Sequence, residues 1–433
     1  MKPKGRKWYW LAPLLVLGAA LGVATPRLMP DSAAAVHPQH GMVCTTGPSF
    51  NLKATDGYIT MPDGESIYMW SYAKNPGSFQ YVGPTLCVNE GDTVVVNLTN
   101  DLPDSVSIVF PGQTGVEAND GSGWGLAQPQ YDGGGNLTSL TNFALPSGGT
   151  VSYRFVAEEP GTYIYESGTE ASKQVQMGLV GALVVRPSLG AGYAYNDTST
   201  AFNPDREFLL VFHEIDPYLH RAVERGQPYD VTKLEFHYWT INGRGLPDSV
   251  ADNNSPWYPS QPYGSLIIVE PYDPASNPLP ALVRMANPGV ANHPFHPHAN
   301  HVRVIAQDGR LLQGPAGEDL SFEQFTRTTG AGQTFDVVFK WTDAEGWDPD
   351  FNPIPVEIPG LQNLVFMDSA TFYSGSPYLG YQGELPVGVT SYNQCGEQYF
   401  PWHTHALNEF QNFDEGFGGL GTLLRVDPPG GCP

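Results

Sequence analysis

The sequence predicts an all-β protein of sandwich type, and three observations carry that expectation. Its 49 glycines and 40 prolines make up about a fifth of the 433 residues, while only 15% are charged. That is more turn chemistry than helices tolerate. Aromatic residues at 12% and many Val, Thr and Tyr runs supply apolar surface for a core and exclude wholesale disorder. Short stretches also alternate apolar and polar residues with period two between turn signals, the signature of half-buried strands.

The first forty residues differ from the rest. MKPKGRK carries four basic groups, WYWLAPLLVLGAALGVA is apolar, and SAAAV is built of small residues. Residues 1–40 therefore read as an export signal removed by cleavage. An uncleaved anchor is the alternative, since an apolar run of about 17 residues is at the lower limit of a membrane span. Either reading puts the body of the protein outside the cytoplasm, in the periplasm, at the cell surface or in the medium.

Residues 45–187 form the first predicted unit. TLCVNEGDTVVVNLTND (85–101) is a strand, a turn at Glu90-Gly91-Asp92 and an alternating strand. GTVSYRFVAEEPGTYIYES (149–167) repeats that scheme, and GLVGALVVRP (178–187) closes it with an apolar run. Residues 188–206 are small and polar, as suits a linker. The second unit, 207–428, opens with EFLLVFHEID and continues through GSLIIVEPY (264–272), ALVRMANPG (281–289), HVRVIAQDGRLL (301–312) and GQTFDVVFKW (332–341). A long insertion rich in Pro, Gly, Asp and Tyr is expected at about 342–395.

The formal charge is −23, and residues 1–40 hold five of the basic groups against one acid. Nucleic acid is excluded as a partner, because phosphate binding needs the opposite sign. Acidity suits solubility outside the cell and attraction of cations. Four cysteines in an exported chain point to two disulfides. Three connectivities are open, and chain proximity favours Cys44–Cys87 with Cys395–Cys432.

The two units look duplicated. YIYESGTEASKQVQMGLVGALVV (163–185) and FPWHTHALNEFQNFDEGFGGLGTLLRV (400–426) share an aromatic strand, a polar tip, a loop, Gly-x-x-Gly and an apolar strand. Superposing them puts His403 over Glu166 and His405 over Gly168, and HPFHPH falls where the first unit has SIVFPGQTG (107–115). The second unit thus carries histidines at strand ends where the first carries none. Residues i and i+2 of a strand share a face, so His296-Pro297-His298 and His403-Thr404-His405 each project two imidazoles together. Four such nitrogens suit one or two ions of Cu, Zn, Ni or Fe. The plainer alternative is four surface histidines decorating loops.

HPFHPHANH (293–301) resembles the H-P-x-H-x-H-G-H motif of the multicopper oxidases, with its last histidine one residue late. WHTHALNE (402–409) resembles their H-C-H-x-x-x-H motif. GTYIYES (161–167) with MGLVGALVV (177–185) resembles their G-T-Y-W-Y-H-S-H…G-L-x-G-x-L-I-V run, and TINGRGLP (240–247) and VIAQDG (304–309) are similar too. The resemblance covers nearly all of residues 80–427. It implies two cupredoxin-like Greek-key β-sandwich domains, as in the two-domain laccase branch, with copper as cofactor and oxidoreductase chemistry.

Departures from the family's motifs shape the functional expectation. The resemblance implies a type 1 copper held by a cysteine at position 404, a histidine at 409 and His293, but Thr404 and Glu409 stand there. Without a thiolate no blue electron-entry site forms. Of the eight trinuclear-cluster histidines that the resemblance implies, His296, His298, His403 and His405 match. Phe110-Pro111-Gly112 and Glu166-Ser167-Gly168 replace the rest. One or two copper ions are therefore expected rather than four, with His296, His298, His403 and His405 as ligands and His293 and Glu166 as weaker candidates. Stripped of those partners, His293 is otherwise a packed loop residue. His301 either orients a ligand or faces solvent, and His213, His220 and His237 fill ordinary core or surface roles.

Two functions follow as expectations. One is an exported copper-binding protein with residual oxidoreductase activity on a small molecule, classical laccase activity being lost. The other is a copper-free cupredoxin scaffold with an interaction role in the envelope. Partners are a small molecule or metal ion, with membrane contact only through an N-terminal anchor. The two-domain branch also implies a homotrimer in which Glu166 of one chain meets His405 of another.

Overall fold

The structure, a computed structural model, describes residues 40–342, 397–413, 415–427 and 429–431. The signal or anchor segment, the Cys395–Cys432 pairing and the 343–395 portion of the insertion lie outside these residues.

Period-two patterning becomes strands with one buried side. In Thr93–Asn100 the residues Val94, Val96 and Leu98 are buried and their neighbours are not. They face Phe155, Tyr153 and Val151 of the antiparallel strand Gly149–Val156. Those two strands belong to a six-stranded sheet, Ser66–Lys74, Ser49–Thr60, Thr93–Asn100, Gly149–Val156, Glu117–Asn119 and Gly125–Leu126 in spatial order. It shares a core with a four-stranded sheet, Thr45–Thr46, Leu86–Asn89, Val180–Arg186 and Gly161–Glu166. Cys44 and Cys87 are joined beside its edge, their Cα atoms 5.6 Å apart.

A second sandwich repeats the plan. One sheet contains Tyr238–Ile241, Glu207–Ile215, Ala281–Asn287, Gln333–Phe339 and Val302–Gln307; the other contains Ile267–Val269, Gly421–Val426, Gln398–Thr404, His293–Pro297 and Arg327–Thr329. Phe295, Trp402, Val304 and Phe335 sit in the core between them. In both sandwiches parallel pairs interrupt the antiparallel ladders in each sheet. These pairs are Leu86–Asn89 with both Thr45–Thr46 and Val180–Arg186, Ser49–Thr60 with Thr93–Asn100, Ile267–Val269 with Gly421–Val426, and Glu207–Ile215 with Ala281–Asn287. Parallel neighbours cannot be joined by a tight hairpin, so the chain must cross between sheets, as in a Greek key.

The sandwiches are welded together. Ile59, Met69, Tyr81, Ile164 and Val180 of the first pack on Leu209, Val211, Ile215 and Ala286 of the second. A buried ion network reinforces this contact. Arg284 donates to Glu207 at 2.6 Å and to Thr162 of the first sandwich at 2.9 Å. Thr162 donates in turn to Asp336 at 2.6 Å. At Gly161, φ is +152°, and a Cβ there would lie 2.7 Å from the Cα of Gly309, so only glycine permits this approach. Residues 188–206 are more than a polar tether. Ala194, Tyr195 and Phe202 are buried against Leu282, Ile305 and Ala306, and Tyr195 donates to Asp336 at 2.5 Å.

Candidate metal centre

Strand parity sorts the motif residues into two sites. His293–Pro297 pairs antiparallel with Gln398–Thr404, with His296 opposite His403 and Phe295 opposite Thr404. His293 and Phe295 point inward and are 0% exposed, whereas His296 is half-buried on the outer face. Thr404 is likewise inward, between the outward His403 and His405. A one-residue step thus separates an outer histidine cluster from an inner polar site.

The outer face gathers four imidazoles. Ring centroids of His296 lie 4.8 Å from His298, 5.8 Å from His403 and 5.0 Å from His405. His298 and His403 are 5.2 Å apart by centroid, and their Nε2 atoms approach to 3.2 Å. Two nitrogens at that separation, each roughly 2.0–2.1 Å from one ion, subtend an angle of about 100° there, close to tetrahedral. Phe410 stacks on His403 at 4.7 Å, and Phe325 meets His296 edge-on at 5.9 Å. The His301 ring lies 5.8 Å from that of Phe325.

Hydrogen bonds constrain the tautomers. The Nδ1 of His403 is 2.7 Å from the Thr404 carbonyl, which can only accept, so Nδ1 carries the proton. In the neutral ring Nε2 is then a bare lone pair and accepts from Nε2–H of His298. The Nδ1 of His296 is engaged with the Thr326 hydroxyl at 2.8 Å, leaving its Nε2 for a ligand. Burial, reinforced by the neighbouring imidazoles, depresses His298 and His403, the latter to about 4. Burial likewise depresses His296. Neutral imidazoles are the form that binds metals. Among the described residues no three His, Cys, Asp or Glu side chains are already placed to hold one ion together. The Nε2 atoms of His298 and His403 stand 3.2 Å apart, and His298 must move its proton to Nδ1 before both can hold one ion. The donor set suits copper or zinc in its chemistry.

The inner face holds an ion network. Nδ1 of His293 is 3.0 Å from Oε2 of Glu409, and its Nε2 is 3.2 Å from Oε2 of Glu214. Ionised carboxylates only accept, so both ring nitrogens donate and His293 is an imidazolium. Burial alone would lower its pKa, but the two carboxylates outweigh burial and lift it to about 9. Glu214 is held below its ordinary range although burial opposes this, through His293, His213 and the Val290 amide. Its Oε1 accepts from Val290 N at 2.5 Å and Ala291 N at 3.3 Å. Glu409 also accepts from the Thr404 hydroxyl at 2.7 Å. A Cβ on Gly289 would lie 2.3 Å from the Glu214 carboxylate, so glycine makes room for it.

This differs from the sequence expectation for His293. It is a strand residue whose ring is held by Glu409, which also accepts from Thr404, and by Glu214. Sequence reading missed Glu214. The signal available was an acid in the inward register of the apolar strand EFLLVFHEI. Glu166 lies at the corresponding place in the first sandwich, bridged to Val109 as His403 is paired to His296. Burial raises its carboxyl to about 7, and among the described residues it makes no hydrogen bond to the four histidines. His213 and His220 are core residues, bonded to the Tyr81 hydroxyl at 2.6 Å and to the Tyr68 carbonyl at 2.6 Å.

Comparison with known proteins places this arrangement. Residues 55–189 match the multicopper oxidase family model. Laccase-1 of Cryptococcus neoformans var. neoformans serotype D is 24% identical over 301 residues, covering 64% of this chain and 43% of that protein. The L-ascorbate oxidase of Cucumis sativus is 32% identical over 149 residues, covering 34% and 21%. The chain thus spans less than half the length of these two relatives. The blue copper oxidase of Nitrosomonas europaea shares the fold with a TM-score of 0.56 at 17% identity, covering 88% of this chain and 86% of that one. The multicopper oxidase mgLAC superposes with a TM-score of 0.54 at 15% identity, covering 89% and 87%. Residues 55–189 thus carry a multicopper oxidase family match, and the paired sandwiches share the fold of solved multicopper oxidases.

Proposed function

We propose that this protein is an exported copper-binding protein of the multicopper oxidase family, holding copper through His296, His298, His403 and His405 and lacking a blue type 1 centre. The observation that carries the reading is the convergence of two H-x-H pairs from adjacent strands, with Nε2 atoms of His298 and His403 3.2 Å apart. Bound copper would supply one-electron redox chemistry; the chain's own part is to present neutral imidazoles on a half-open face walled by Phe325 and Phe410. Glu409, bonded to His293, and Thr404, which donates to Glu409, occupy the place that a histidine and a thiolate would need. Export is supported by the N-terminal pattern and by the Cys44–Cys87 disulfide, a bond of oxidising compartments.

Elemental analysis with copper EPR of the purified protein tests this. One or two coppers per chain without a blue signal is expected. Metal retained after all four histidines are changed to Ala would refute the assignment. The absence, among the described residues, of any preformed three-ligand group favours a second reading, a copper-free scaffold. Failure to take up stoichiometric copper decides for it.

Exposed apolar side chains bear on assembly. Leu126, Tyr131, Leu137 and Leu140 of the first sandwich are each more than half exposed, as are Phe325 and Leu407 beside the histidines. They suit head-to-tail association of copies, which would bring Glu166 of one chain toward His405 of the next. A monomeric mass in solution at high protein concentration would remove this idea.

A further inference from the structure

We infer that the buried network on the inner face is a positioning device for the outer site: Glu409, clamped by His293, fixes Thr404 so that its carbonyl accepts from Nδ1–H of His403 and leaves the Nε2 lone pair for a cation. The inference rests on the proposed metal centre for its purpose, but its geometry stands in the metal-free chain.

Thr404 is 0% exposed and held by three hydrogen bonds at its amide and hydroxyl. Its amide donates to Leu420 O at 3.0 Å, its hydroxyl donates to Glu409 at 2.7 Å, and that hydroxyl accepts from Ala406 N at 3.2 Å. The next amide, His405 N, donates to Pro294 O at 2.7 Å. The Thr404–His405 peptide is therefore tied from both ends, and the direction of its carbonyl is set. That carbonyl decides the His403 tautomer.

The hydroxyl–carboxylate bond is charge-assisted and stronger than a neutral one. Glu409 is itself located by His293, which is held from the other side by Glu214, a carboxylate anchored in turn by the Val290 and Ala291 amides. A continuous chain of contacts thus runs from the Val290 amide to the ligating nitrogen of His403. The network's two carboxylates and one imidazolium also leave one net negative charge directly behind the histidine strand. That field favours a cation on the opposite face.

Nitrogen NMR of His-labelled, metal-free full-length protein reads the tautomer directly, and chelator competition reads copper affinity. Wild-type His403 should show a protonated Nδ1 and bare Nε2. Glu409→Ala and Thr404→Val should each give mixed tautomers at His403 and a roughly ten- to hundredfold loss of copper affinity. Glu409→Gln, which keeps an acceptor oxygen, should restore the single tautomer. His403 signals unchanged in both Glu409→Ala and Thr404→Val would overturn the inference. Should Glu409→Ala fail to fold, Thr404→Val, which swaps a hydroxyl for a methyl, decides alone. A wild type that takes up no copper would sink the proposed metal centre, while the tautomer result would still decide the positioning role.

Discussion

Replacing His293 by Gln removes a positive charge and leaves Glu214 and Glu409 buried without a counter-ion. The elevation of His293 from 6.5 to about 9 corresponds to about 3 kcal/mol of native stability by proton linkage. The direction follows from the raised value. Stability from the imidazolium is fully present below pH 6.5, where the unfolded chain is also protonated, and is lost as pH rises through 9. Glu214 and Glu409 are the charged groups facing His293, and His213 stands behind Glu214. Above pH 9 the wild type itself has two carboxylates around a neutral ring, the situation the substitution creates at every pH. Chemical unfolding of both proteins, freed of metal, at pH 6, 7.5, 9 and 10 should therefore show a gap of about 3 kcal/mol at pH 6 that closes by pH 10. A gap constant across this range would refute the charged-imidazole account.

Three further outcomes are expected. Gly289→Ala should destabilise the fold by about 1–3 kcal/mol in thermal melts, because the new methyl collides with the Glu214 carboxylate. Arg284→Met should cost about 3–5 kcal/mol, since Glu207 and Asp336 would lose the buried guanidinium between the sandwiches. Unfolding that is no easier than in the wild type would contradict this. Removing the Cys44–Cys87 bond with a double Ala variant should lower stability by about 4 kcal/mol, as expected for a bridge across 43 residues. A melting curve coincident with that of the wild type would count against it.

The grouping of the four candidate ligand histidines was legible from strand parity. His296-x-His298 and His403-x-His405 are period-two pairs, and the duplicated layout put both at equivalent strand ends. The structure brings them to adjacent strands with His296 opposite His403. The structure places His293 and Thr404 on the buried face, and their role there was not legible in the sequence. That role depends on Glu214, which lies 79 residues before His293 in the chain. No local pattern marks an acid in an apolar strand as half of an ion pair rather than a strand-end residue. Within residues 188–206, Ala194, Tyr195 and Phe202 bury themselves against Leu282, Ile305 and Ala306, contacts that no local pattern marks.

What the sequence determined by itself is what local chemistry controls. Turn density and two-residue periodicity specify strands, and H-x-H spacing specifies which imidazoles travel together. Only the tertiary structure decided which strands are neighbours, and with that which donors converge. Long-range pairing brought Nε2 of His403 to 3.2 Å from that of His298, and closed two carboxylates from separate strands around His293. A histidine's protonation depends on the groups within hydrogen-bonding reach, and those are fixed by packing rather than by chain order. The same residue type is thus a cation on one face of this strand and a neutral donor on the other.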